Sequence, residues 1–232
     1  RFSKGQDDKI HFPRTDAILS SRNTTGLHRR GTTDKKGNTP EVYDVAVAVL
    51  IDSGIWDLFW SLVKPSNVKP KEDTVKMEIR KFYSHIFNGV NLLYKGIEDP
   101  NIEISVTLRH FVMFQRESDF THIESEVKII NGRKYIDVSK YLNDVHQWDI
   151  FSGYEHPEYD HAMLFTKFDL YKDEPTNNAV RGQSWTGGVC LLGIRTSVIE
   201  AHDYLMTVRA ATHELGHSLG AAHDGDDGAK RV

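Results

Sequence analysis

Cysteine is almost missing from this chain: Cys190 is the only one in 232 residues. No disulfide can form within the segment, so a stapled, loop-rich mini-domain is excluded. A lone cysteine is usual for a reducing compartment or a buried structural thiol. In a secreted chain it signals a partner that lies elsewhere. Long apolar runs are also lacking. None approaches the ~20 residues that a membrane-spanning helix needs, so no membrane span is expected. Arg1 does not open a signal peptide. Charge of one sign is scarce as well, with a net of -4, but it is unevenly spread. Residues 1–40 hold nine Lys/Arg against four Asp/Glu, and the remainder holds 20 against 29. The basic head has no interleaved aromatics and no binding motif, which argues against nucleic acid as a partner.

What is present is ordinary for a globular chain: 39% hydrophobic and 27% charged residues. Two regions follow. Residues 1–40 are polar, basic and broken by glycine and proline, so a poorly structured N-terminal segment is expected, a possible propeptide remnant. Asn23-Thr24-Thr25 fits the glycosylation acceptor pattern. His28-Arg29-Arg30-Gly31 is either a processing site or an uncut basic loop. Residues 41–232 carry the patterned elements and are expected to form one domain.

Tyr43–Ile51 is apolar on both faces after Asp44, the pattern of a strand buried from both sides. A short helix or turn is expected over Ile55–Val63. Val75, Ile79, Phe82, Ile86, Val90, Leu93 and Ile97 recur at helical spacing, predicting a helix over Asp73–Ile97 with Asp73 or Thr74 as its cap and Gly96 near its end. Ile102, Ile104, Val106 and Leu108 alternate with polar residues as a half-buried strand. Asn131-Gly132 marks a hairpin turn within Val127–Tyr135. Val138–Trp148 reads as an amphipathic helix with Tyr141, Leu142, Val145 and Trp148 inward, and Ala162–Phe168 as a further strand. Strand, helix, strand, helix, strand in this order predicts an α/β fold with a mixed, mostly parallel twisted sheet. The glycines of Val180–Ile194 suggest an irregular strand where another backbone approaches closely. His110 and His122 read as ordinary histidines.

Thr212 to Asp224 (Thr-His-Glu-Leu-Gly-His-Ser-Leu-Gly-Ala-Ala-His-Asp) is the most informative stretch. On a helix His213 and His217 point the same way, roughly 40° apart, which makes a two-imidazole metal claw. Glu214 lies roughly 60° beyond His217, beside the claw. Gly220 suits the end of the helix, and the chain can then turn to deliver His223. Three protein ligands with one open corner is the design of a catalytic zinc site, whereas a structural site is closed by four. Leu205, Val208, Thr212, Leu215 and Leu219 form a stripe on a different face, predicted to anchor the helix in the core. In a chain of this composition the extended pattern arises by chance about once in ten thousand.

The pattern resembles the metzincin signature H-E-x-x-H-x-x-G-x-x-H, and Asp224 after His223 is similar to the reprolysin (adamalysin, ADAM, snake-venom) branch. The low cysteine content is closest to arthropod venom or salivary members. The resemblance covers roughly residues 41–224. It implies a secreted, extracellular zinc-dependent endopeptidase with the metzincin catalytic-domain fold and a protein or peptide substrate. It further implies His213, His217 and His223 as zinc ligands, and Glu214 as the general base for attack by a zinc-bound water. Asp224 would brace the site. Gly182, Gln183, Ser184 and Trp185 would form the cleft's edge strand and pair with an extended substrate. Cys190 would bond to a downstream cysteine. That partner and the methionine turn would lie past Val232, since all four methionines precede the motif, so the domain is expected to be truncated at its C-terminus. Calcium is a second ion in some members, with Asp160 as a candidate ligand. The rival expectation is a catalytically inert zinc-binding or adhesive module.

Overall fold

The computed structural model of the chain describes residues 28–29, 40–65, 70–99, 101–120, 125–151, 159–177 and 179–223. Asn23, Arg30, His122 and Asp224 lie outside the described residues.

The central strand is β2 (Glu41–Ile51). Its apolar residues serve both faces. Val45, Val47, Val49 and Ile51 enter one core, while Ala48 and Leu50 enter the other. A strand sandwiched between two helical layers has no solvent face, so its sequence does not alternate. β3 (Ile102–Met113) runs parallel to β2 on one side, with a register shift between Val47 and Ala48 that skips Arg109. β6 (His161–Thr166) runs parallel on the other side, followed by β9 (Thr196–Glu200), again parallel. β8 (Gly182–Ser184) closes the sheet, antiparallel to β9. A two-residue β1 (His28–Arg29) pairs antiparallel with Tyr43 and Asp44 of β2. The sheet is thus mixed and mostly parallel, as the order of elements predicts. A smaller sheet joins β4 (Lys128–Ile130), β5 (Arg133–Asp137) and β7 (Asp169–Tyr171). Asn131 and Gly132 both take positive φ, 51° and 78°, in the β4–β5 turn, as a tight hairpin requires.

Helices α1 (Ser53–Leu62), α2 (Lys71–Lys95) and α4 (Tyr204–Ser218) contribute to one core, and α3 (Val138–Phe151) to the other. α2 departs from expectation at both ends. It starts at Lys71 after Pro70, with no side-chain cap; proline's fixed φ suits a helix entry and its missing N–H is no loss there. The buried stripe is Val75, Ile79, Tyr83, Ile86, Phe87, Val90 and Tyr94. Leu93 is 49% exposed, because the face drifts by a residue near the helix end and Tyr94 takes the inward place. Leu205 was also expected in the core, yet it is 63% exposed. It sits in the first turn of α4, and the anchoring stripe begins with Val208.

β9 escaped the sequence reading altogether. Every residue of Thr-Ser-Val-Ile-Glu is buried, although three are polar. Their hydrogen bonds explain this. Thr196 Oγ1 donates to Gly193 O (3.3 Å), Ser197 Oγ pairs with His161 Nε2 (2.8 Å), and Glu200 accepts from Leu170 N (2.9 Å). Polar groups can be buried at little net cost when each finds a partner.

Candidate metal centre and substrate edge

α4 is fixed at its start by Asp203, whose side chain accepts from Met206 N (3.0 Å). Mid-helix, the buried Tyr94 hydroxyl donates to Thr212 O (2.9 Å), one residue before His213. Ala211, Leu215 and Leu219 are buried. The helix ends at Leu219 with Gly220 at φ +100°. Ala221 N then reaches Gly216 O (2.9 Å) and Gly220 N reaches His217 O (2.8 Å). This pair of bonds is a Schellman motif, and it turns the chain back across the helix end. From the neighbouring loop, Gly187 N (2.9 Å) and Val189 N (3.0 Å) satisfy the carbonyls of His217 and Ser218.

That turn brings His223 to the helix. The Nε2 atoms of His213, His217 and His223 lie 3.0 Å from one another. His217 Nδ1 donates to Ala221 O (2.8 Å). A carbonyl can only accept, so the proton is on Nδ1 and the lone pair on Nε2 faces the other two rings. Three imidazole nitrogens this close can share at most a proton or two among themselves. A cation suits them better. An ion bonded to nitrogen at 2.0–2.1 Å in a tetrahedral site spaces its ligands by about 3.3 Å, so the triangle fits zinc with a slight opening. Among the described residues this is the one group of three His, Cys, Asp or Glu side chains able to hold a metal.

Glu214 is only 6% exposed. Burial pushes its carboxyl up to about 7, opposed by a hydrogen bond that Ser184 Oγ donates to Oε2 (2.9 Å). Gly182 lies against the same carboxylate. A Cβ there would sit 2.7 Å from Glu214 Cγ, 2.8 Å from Oε1 and 2.9 Å from Val198 O. The glycine that sequence analysis placed on the cleft edge is therefore required by the glutamate behind it.

Among the described residues β8 is the edge of the sheet, paired with β9 alone. Its residues alternate between layers. Gly182 and Ser184 face α4 and Glu214. Gln183 and the following Trp185 face α3: Gln183 Oε1 accepts from Ser139 Oγ (3.2 Å), and the Trp185 ring lies 6.1 Å from that of His146. The expected edge residues are thus together, but their side chains serve different partners. The Ser184–Glu214 contact was invisible in sequence because 30 residues separate the pair.

Asp160 is used internally. Its Oδ2 accepts Ala46 N (2.8 Å) and its Oδ1 faces the Cys190 thiol (3.6 Å). Both oxygens of this calcium candidate are thus engaged within the fold. Cys190 is half-buried at φ +63°, and its thiol is pushed up to about 12 by burial and by Asp160.

A three-histidine centre with a buried glutamate on the same helix, and a strand at the sheet edge among the described residues, in an α/β layer fold, defines the class of metal-dependent endopeptidases. The chain belongs to metallo-peptidase family M12, the reprolysin-type metzincins, whose family model matches residues 42–231. It is 30% identical over 159 residues to an ADAM-with-thrombospondin-motifs-like protein of Bombyx mori, covering 64% of this chain and 22% of that protein. It is 28% identical over 155 residues to venom metalloproteinase 3 of Eulophus pennicornis, covering 64% and 35%. The matched region therefore spans about a fifth to a third of these relatives. Among solved structures, archaemetzincin from Methanopyrus kandleri aligns with a TM-score of 0.40 at 19% identity, covering 78% of this chain and 77% of that one.

Proposed function

We propose that residues 41–232 are the catalytic segment of a secreted zinc endopeptidase that hydrolyses internal bonds of extended peptides. The observation that carries this is the 3.0 Å triangle of His213, His217 and His223 nitrogens, with the buried Glu214 following His213 on the same helix. When bound, zinc supplies Lewis acidity, which acidifies a water and polarises the scissile carbonyl. The protein supplies the rest. The three imidazoles, with His217 held in the metal-binding tautomer by Ala221 O, would hold the ion. Glu214 takes the proton of the attacking water and passes it to the leaving amine. The free edge of β8 adds an extended substrate as a further strand, reading backbone more than side chains. Secretion agrees with the venom relatives.

The test uses the full chain with a fluorogenic peptide and a zinc assay. Glu214→Gln is expected to keep stoichiometric zinc and to lose about 10²- to 10⁴-fold in turnover. His217→Ala is expected to lose both. Undiminished turnover in the first variant, or full zinc content in the second, would overturn the assignment.

A further inference from the structure

We infer that Ser184 is a positioning residue for Glu214: its hydroxyl locks the carboxylate, so the strand that receives the substrate also sets the general base. The inference rests on the reading of Glu214 as that base. The resemblance places Ser184 in the edge strand that pairs with an extended substrate, a role for its backbone. Its side chain has a separate partner: the hydroxyl donates to Glu214 Oε2 at 2.9 Å. Among the described residues it is the only side chain bonded to that carboxylate.

The other oxygen is placed by shape. Oε1 lies 2.8 Å from where a Cβ on Gly182 would sit, too close for a Cβ to fit unless the glutamate moved. Residues 182 and 184 share one face of β8, since strand side chains alternate. That face thus borders both oxygens, one through a hydrogen bond and one across the room left by the missing Cβ. A glutamate has three rotatable bonds, and without such a cradle a buried carboxylate can sample several orientations. With Oε2 engaged by a donor, Oε1 is the oxygen left to accept a proton from water. Placement at this level matters, because a shift of about 1 Å in a catalytic group can cost ~100-fold in rate.

The neighbour across the strand supports the placement. Gly182 pairs with Ile199 and Ser184 with Ser197 in β9, whose residues are fully buried. The platform carrying the hydroxyl is therefore anchored in the core. Rigid support of this kind separates a residue that positions a group from one that merely lies near it.

The experiment compares zinc-loaded wild type, Ser184→Ala and Ser184→Thr by kcat, KM and zinc content. It adds urea-unfolding midpoints for Ser184→Ala, Glu214→Ala and the double variant. Ser184→Ala is expected to retain zinc and to lose about tenfold or more in kcat, with KM within about twofold. Ser184→Thr keeps the hydroxyl and is expected to stay near wild type. The two alanine changes are expected to be non-additive in unfolding midpoint, as for any pair in contact. A wild-type kcat in Ser184→Ala, a rise in KM alone, or strict additivity overturns the inference. Failure of the protease reading shows separately, as equal turnover in wild type and Glu214→Gln.

Discussion

At the scale of single residues, the site depends on one position where no side chain is allowed. Gly182 leaves room for the Glu214 carboxylate, and a Cβ there would meet Cγ at 2.7 Å and the Val198 carbonyl at 2.9 Å. Glutamate can swing aside, but the carbonyl belongs to a buried strand. Gly182→Ala is therefore expected to destabilise the fold by about 1–3 kcal/mol, as overpacking does. Turnover should fall more than the stability loss explains, because Glu214 is the softer neighbour. Peptide hydrolysis measured alongside the urea midpoint checks both parts; unchanged hydrolysis would show that the carboxylate does not depend on this gap. His217 shows the same economy of design. Its own helix end supplies the Ala221 carbonyl that sets its tautomer.

At the scale of elements, α4 holds the site. Five features fix it: the Asp203 cap, the Tyr94 bond to Thr212 O, the buried Ala211–Leu215–Leu219 row, the Schellman turn, and the two N–H groups from the 187–189 loop. α2 contributes through a glycine too. A Cβ on Gly89 would lie 2.9 Å from Tyr204 Oη and from Val208 Cγ2, so the two helices approach closely there. Asp203→Ala removes the acceptor for Met206 N and is expected to cost about 1 kcal/mol. The metal triad lies at the far end of the helix, so zinc content should not change. Thermal unfolding with a zinc assay tests this, and loss of zinc at unchanged melting temperature would contradict it.

At the scale of the whole molecule, two apolar cores flank one sheet, and a few buried polar groups set how the fold responds to pH. Asp52 caps α1 at 3% exposure, with Ile55 N on Oδ1 and the Tyr141 hydroxyl on Oδ2. Burial raises its carboxyl from 3.8 to about 6. The folded chain thus favours the protonated form. That stabilisation is complete below about pH 3.8 and is lost as pH rises through about 6. Asp52→Asn keeps the capping oxygen and removes the titration. The stability of the wild type relative to this variant is expected to fall by about 2–3 kcal/mol between pH 4 and 7. Urea unfolding of both proteins across that range checks it, and a flat difference would refute it. His161 acts in the opposite sense. Burial lowers it to about 3, so it stays neutral in the fold and opposes folding as pH drops below its ordinary value of 6.5.

The sequence by itself determined the metal-site spacing, the α/β class and the hairpin at Asn131-Gly132. Each of these is local: helix geometry aligns His213 with His217, a glycine ends the helix, and a strand with two dry faces must be apolar throughout. Tertiary structure decided what depends on neighbours far along the chain. β9 is buried because its polar residues find partners, which composition cannot show. Leu93 and Leu205 are exposed because the surrounding layers, and not their own hydrophobicity, decide where the core ends. Ser184 reaches Glu214 because pairing with β9 fixes which face of β8 meets the helix. Periodicity records what a residue's own helix or strand requires; which oxygen a hydroxyl reaches depends on how separate elements pack together.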